Sequence, residues 1–282
     1  MAISIPHSPA MSFVRLRKRL LSRAGLRAII SLAVFLALWE FGSRSKEWLG
    51  YALPWVGRVP APSAVLRVWS GLLTDWGYWQ SWYLSLLRVL AGFLAAMVLG
   101  IPLGLLMAVS KTFRGMSFPS FEILRPIPPL AWVPVSIIFW PTQELSIAFV
   151  TFLGAFFTVV INVLGGARSI DARYFQAAQA MGSSQWDIFR RIVLPATIPS
   201  IAVGSSVGMG ITWNVVVAAE MISGGGGSGS GGGLGFFIWN SYVGGSYEQI
   251  VVGMISIGIA GYACSEVLRT LGKYSTPWLQ KR

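Results

Sequence analysis

Two arginines, Arg88 and Arg125, stand where the sequence around them is apolar. An arginine near the middle of a membrane helix costs roughly 2.5–3.5 kcal/mol on insertion scales, so each is a candidate for chemistry, and the chemistry open to a guanidinium there is contact with an anion. The simpler readings are that Arg88 snorkels from the outer end of its apolar run to lipid headgroups, and that Arg125 pairs with Glu122 one helical turn away. Trp132, Trp213 and Asn214 are candidates for lining a polar pathway, with packing the simpler reading for an aromatic. Glu220 is a candidate for gating, for a contact outside the membrane, or for capping its own helix. Bond-making chemistry finds no footing. The single cysteine, Cys264, cannot form an intramolecular disulfide, and the single histidine, His7, lies in a polar head, so no Cys/His metal site and no Ser/His/Asp constellation can be assembled. The run SGGGGSGSGGGLG at 223–235 is glycine-rich, as a phosphate loop is, but lacks the lysine of G-x-x-x-x-G-K-[ST].

A second constellation is the polar loop 168–197, RSIDARYFQAAQAMGSSQWDIFRRIVLPAT. Residues 172–181 suit a short helix and Gly182 suits the positive φ of a helix stop. Ser184 with Asp187 fits an N-cap and capping box for a second helix. This helix–turn–helix presents Ala177, Ala178, Ala180 and Met181, a face that suits a groove on a partner. It reads equally well as a hairpin on the bilayer surface, with Phe175, Trp186 and Phe189 in lipid and Arg190 and Arg191 on phosphates.

The elements that must position these residues are membrane helices. Of the 282 residues 54 % are hydrophobic and 11 % charged, and the mean hydropathy is +0.64, against about 25 % charge in a soluble domain. Apolar runs at 28–43, 84–109, 120–140, 145–165, 198–222 and 247–268 predict six spans, the third interrupted by Pro126, Pro128, Pro129 and Pro134. With the N-terminus inside, sixteen basic residues fall on the cytoplasmic side and four (Arg44, Lys46, Arg58, Arg67) outside. That bias places both termini in the cytoplasm and accounts for the net charge of +12 without nucleic acid. The start resembles a secretory signal, but no small-x-small site follows, so the first run is read as a retained span. The domains are then a basic cytoplasmic head, 1–27, a single membrane domain, 28–272, and a cytoplasmic tail, 273–282. Outside, 44–82 carries six tryptophans as interfacial anchors and a surface helix at 63–73, and 223–235 is a flexible loop.

Within the polar loop, Gln176-Ala177-Ala178, three residues, Gly182, nine residues, then Ile192-Val193-Leu194-Pro195 resembles the E-A-A-x3-G-x9-I-x-L-P signature of ABC importer permeases. Gln176 stands where that family usually has Glu. The run Glu122 to Pro134, Val217-Ala-Ala-Glu220 and Thr276-Pro277-Trp278 resemble the branch that imports nitrate, sulfonates, taurine and bicarbonate, over roughly residues 80–280. Gly233-Leu234-Gly235 arrives later than in that branch, so contact with an external binding protein is expected to differ. The resemblance implies an all-α polytopic bundle of the type I ABC importer permease fold in a bacterial inner membrane. It makes loop 168–197 the coupling helix, with Gln176, Ala177, Ala178, Met181, Gly182, Ile192, Leu194 and Pro195 set against the ATPase. The implied partners are a second permease copy, two ATP-binding subunits, an extracytoplasmic substrate-binding protein and membrane lipid. No cofactor is expected on this chain: ATP and Mg belong to the partner subunit, and the chain is no enzyme. Arg88, Glu122, Arg125, Trp132, Trp213, Asn214 and Glu220 become pathway candidates for a small anion, taurine or another sulfonate first, then nitrate or bicarbonate. The rival is an ion-coupled secondary transporter or channel, a class that places carboxylates or histidines at mid-membrane.

Overall fold

In hydrocarbon every backbone donor and acceptor needs a partner inside the protein, so long apolar runs fold as helices. The computed structural model describes residues 23–51, 53–223 and 232–279, and regular structure among them is helical throughout. Most of the head 1–27, the glycine-rich stretch 224–231 and the last three residues of the tail lie outside the described residues. The chain forms two units, Met1–Ser70 and Gly71–Arg282.

In the first unit α1 (Arg23–Ser43) is followed by α2 (Ser45–Leu49), a 3-10 turn at Val56–Arg58 and α3 (Pro62–Leu72). Leu32, Phe35 and Leu38 of α1 are each 60–65 % exposed, an apolar surface whose counterpart is lipid or another chain. The Glu40 carboxylate accepts from the Ser63 amide at 3.0 Å and the Ser63 hydroxyl at 2.7 Å, and pairs with Arg44 at 2.7 Å. That amide lies in the first turn of α3, where a helix has no internal acceptor, so Glu40 caps α3 from a distance of 23 residues.

The second unit comprises α4 (Trp76–Val109), α5 (Lys111–Leu124), α6 (Val133–Phe139), α7 (Gln143–Arg168), α8 (Ala172–Ala180) and α9 (Gln185–Ile188). It continues with α10 (Leu194–Ser223), α11 (Leu234–Val243) and α12 (Tyr247–Ser275). Across both units five described helices are long and apolar enough to cross a membrane: Gly25–Ser43, α4, α7, the run Gln185–Ser223 and α12. The third predicted span, 120–140, is not one helix. It falls across the end of α5 and the Pro129–Phe139 segment, two pieces bent by 87°. Pro128, which precedes Pro129, is held out of the α region at ψ 134°. Six spans are reached only if this bent pair counts as one. The helix α4 also starts earlier than its apolar run, at Trp76, because Asp75 caps it by accepting from the Gly77 amide at 3.0 Å.

Lipid tails are as apolar as leucine, so membrane helices associate by close packing rather than by hydrophobic transfer. The centre is α7, which packs along both α4 and α10, while α12 lies along α10. Val150, Val159, Val160 and Val163 of α7 are fully buried. Small residues allow the approach. A Cβ on Gly92 would sit 2.8 Å from the Phe152 backbone nitrogen, and one on Gly204 2.7 Å from Asn162 Cβ. Because backbone cannot yield as a side-chain tip can, Gly92→Leu is expected to cost at least about 1–3 kcal/mol by overpacking. Gly115→Ala, with nothing of this chain within 4 Å, is expected to be neutral. Thermal denaturation of the detergent-solubilised protein checks the pair, and equal stability of the two variants would contradict the α4–α7 packing.

Candidate functional site

The loop 168–197 folds as two helices around a tight stop. Asp171 caps α8 by accepting from the Arg173 amide at 2.9 Å and takes two further hydrogen bonds from the Arg173 guanidinium. Those bonds hold the Asp171 carboxyl below its ordinary pKa, so the ionised cap is present at neutral pH and is lost only as pH falls through that lowered value. At the other end Gly182 takes φ +76°. The Ser183 amide donates to Ala178 O at 3.0 Å and the Gly182 amide to Gln179 O at 2.9 Å, the bond pair of a Schellman stop. Ser184 then caps α9, its hydroxyl oxygen accepting from the Asp187 amide at 3.2 Å. The reciprocal half of a capping box takes another form: Ser184 Oγ donates to Asp187 Oδ2 at 2.5 Å.

The chain runs on helically from Gln185 to Ser223, widened to a π turn at Phe189–Val193. Pro195 has no N–H for the Arg191 carbonyl, and the wider turn upstream is where the ladder adjusts. Ala178 is not presented outward as the sequence led us to expect. It is 5 % exposed and packs with Ile188, Val193, Val163 and, at the margin, Phe175, because α8 lies down on the bundle by that face. Gln176, Ala177, Ala180 and Gly182 are exposed, Met181 is 79 % exposed, and Ile192, Leu194 and Pro195 are half-buried. Trp186, 67 % exposed, lies over Phe189 with ring centroids 5.5 Å apart.

At the other end of α10 lies an ion cluster. Arg88, on α4, is buried rather than snorkelling: Nε and Nη2 donate to the two Glu144 oxygens at 2.8 and 2.5 Å, and Nη1 donates to Glu220 Oε1 at 2.9 Å. Ser85 Oγ donates to Glu220 at 2.9 Å and accepts from the Leu234 amide at 2.8 Å, while the Gly235 amide donates to Glu220 Oε2 at 2.9 Å. Glu220 thus closes contacts among α4, α10 and α11 rather than capping its own helix. A Cβ on Gly233 would meet Glu220 Oε1 at 2.0 Å and one on Gly235 would meet Val217 O at 2.2 Å, which is why glycines flank Leu234 there.

The remaining candidates separate. Glu122 and Arg125 pair with each other at 3.0 Å at the exposed end of α5. Trp213 is 2 % exposed inside the main core and Trp132 is half-buried at its edge, whereas Asn214 is exposed. Sequence reasoning missed Glu144 and Ser85. Ser85 lies beside the buried face of α4, where Arg88, Gly92, Ala96, Gly100 and Gly104 recur every fourth residue, whereas no local pattern marks Glu144.

A bundle of long apolar helices with a polar helical hairpin seated against it is the arrangement of a polytopic membrane protein. Residues 100–281 match the family of binding-protein-dependent transport system inner membrane components. The nitrate import permease protein NrtB of Synechocystis sp. is 32 % identical over 265 residues, 91 % of each chain. The taurine transport system permease protein TauC of Escherichia coli is 31 % identical over 265 residues, covering 92 % of this chain and 91 % of its own. Among solved structures, the inward-facing MetNI methionine ABC transporter shares the fold, with TM-score 0.58 at 20 % identity over 72 % of this chain and 97 % of that one. This chain belongs to the binding-protein-dependent inner-membrane component family and is a multi-pass permease subunit of an ABC importer.

The inward placement of Ala178 makes it the anchor of the hairpin. Ala178→Leu is expected to weaken that seat by about 1–3 kcal/mol, raising tryptic cleavage after Arg173 and Arg190 roughly five- to a hundredfold where cleavage follows opening. Ala177→Leu, on the exposed face, is expected to leave cleavage unchanged. Equal cleavage of the two variants in nanodiscs would contradict this packing.

Proposed function

We propose that two copies of this chain form a translocation pathway for a small oxyanion, taurine or another sulfonate first, then nitrate or bicarbonate. Similarity over about nine-tenths of the chain to permeases named for nitrate and taurine carries this reading. A bicarbonate transport system permease protein, CmpB of Synechococcus elongatus, is similar as well, at 34 % identity over 65 % of this chain. The second copy draws support from Asn214, because an exposed amide on a membrane helix is better matched by water or protein than by lipid.

In this reading both termini are cytoplasmic and loop 168–197 docks on an ATP-binding subunit, one beneath each copy. Gln176, Ala177, Met181 and Gly182 face the partner, Ala178 holds the hairpin to the bundle, and Ile192, Leu194 and Pro195 carry the contact into α10. ATP and Mg are bound by that partner, and an extracytoplasmic binding protein delivers the anion.

Two experiments test the reading. Uptake of labelled taurine, nitrate and bicarbonate is compared in cells with and without the gene, after ATP depletion and separately after collapse of the proton gradient. Uptake of one anion is expected to need gene and ATP and to survive loss of the gradient; uptake that follows the gradient would overturn the reading. Docking is tested by Gly182→Val. A β-branched residue is strained at φ +76°, so transport is expected to fall at least about tenfold with membrane insertion intact, and normal transport by that variant would sink the docking account.

A further inference from the structure

The two carboxylates on Arg88 are held in different ways. Glu220 is fully buried, and besides Arg88 it has Ser85 and the Gly235 amide. It lies in the last turn of α10, where the helix dipole disfavours a negative charge, so it depends on those partners. Glu144 has a side chain 50 % exposed and Arg88 as its ion-pair partner. It lies in the first turn of α7, where the same dipole favours a carboxylate whether or not an arginine is near. Glu220 is therefore the fixed counterion and Glu144 the removable one.

Glu144 also occupies a particular face of the guanidinium. Its two oxygens take Nε and Nη2 side by side at 2.8 and 2.5 Å, the fork geometry in which arginine binds any oxyanion with two coplanar oxygens. Nitrate, bicarbonate and a sulfonate each present such a pair. With Glu144 and Glu220 both in place, Arg88 carries one carboxylate more than it neutralises, and exchange of Glu144 for a singly charged anion leaves that balance unchanged.

We propose that the Nε–Nη2 face of Arg88 is an oxyanion-binding site and that Glu144 is its built-in occupant, displaced when an anion enters. The proposal rests on the oxyanion-importer reading and places one contact on its route. In the orientation given by the basic residues, the starts of α4 and α7 and the end of α10 all lie on the external side, so the site stands at the entrance. Displacement by a two-oxygen anionic group, free as in nitrate or carried by a zwitterion such as taurine, gives the entrance a selectivity that cations and solutes without such a group cannot meet, and Glu144 swings outward without losing its helix-terminal stabilisation.

The test is binding of labelled nitrate, bicarbonate and taurine, each alone, to the permease–ATPase complex in lipid nanodiscs without the binding protein. Uptake in cells is measured in parallel. Glu144→Gln keeps the shape but removes the competing charge, and is expected to tighten binding of the imported anion about fivefold, the effect of losing one half-exposed ion pair. Arg88→Lys keeps the charge opposite Glu220 but lacks the fork, and is expected to weaken binding about tenfold or more. Should the lysine variant fail to assemble, Glu144→Gln still decides, because its site is half exposed. Equal affinity in wild type and Glu144→Gln, in cells whose uptake of one anion needs gene and ATP, overturns the site and leaves the importer reading standing. Absence of gene-dependent uptake of all three anions overturns the importer reading, and with it the ligand assigned to Arg88.

Discussion

A guanidinium taken out of water must be paired, and the place where this chain pairs one decides how four of its helices meet. Removing one partner of a buried ion pair typically costs about 3–5 kcal/mol, because the charge left behind has no solvent. Arg88 binds α10 through the fully buried Glu220 and meets the start of α7 at the half-exposed Glu144, and Glu220 in turn holds the start of α11 through the Gly235 amide. Ser85, one turn before Arg88, completes the link by accepting from the Leu234 amide. The chain that returns after residues 224–231 is thus seated by backbone amides at a helix start, donors that have no partner inside α11. This explains why Gly233 and Gly235 bracket Leu234: a carboxylate and a carbonyl lie where their Cβ atoms would be.

What was legible in the sequence was local. The hairpin at 168–197 follows rules that act within six residues: a short helix, a glycine stop at positive φ and a serine cap. Each is found where its residue type placed it. The apolar runs gave the spans for the same reason, since a helix satisfies its own backbone. What was not legible depends on contacts distant in sequence. Arg88 meets Glu144 and Glu220 across 56 and 132 residues, and no local pattern says which way an arginine on an apolar helix turns. The four-residue spacing that sets it in line with Gly92 and Ala96 marks a packed face, but a face is assigned to packing only when its neighbours are known. The outward display of Ala178 failed likewise, because a small residue fits a partner's groove and the bundle's own surface equally well. At 120–140 hydropathy averaged over a window concealed a bend that three prolines impose in four positions.

The hairpin and the ion cluster lie at opposite ends of one helical run. From Gln185 to Ser223 the chain has no break, a length of roughly 60 Å at 1.5 Å per residue. Downstream of the π turn at Phe189–Val193, where the ladder is widest and most able to bend, α10 continues as one rod that ends beyond Glu220. The rod is bounded by surfaces suited to sliding. Gly204 and Gly208 set α10 against Asn162 and Ala155 of α7 with little side-chain relief between them, and smooth, closely packed helices shift past one another at lower cost than interlocked ones. At its far end, by contrast, the rod is tied by directional, charged bonds to Arg88, Ser85 and Gly235. An axial shift of α10 would stretch all of these bonds together, so the cluster opposes such a shift within one turn of Glu220.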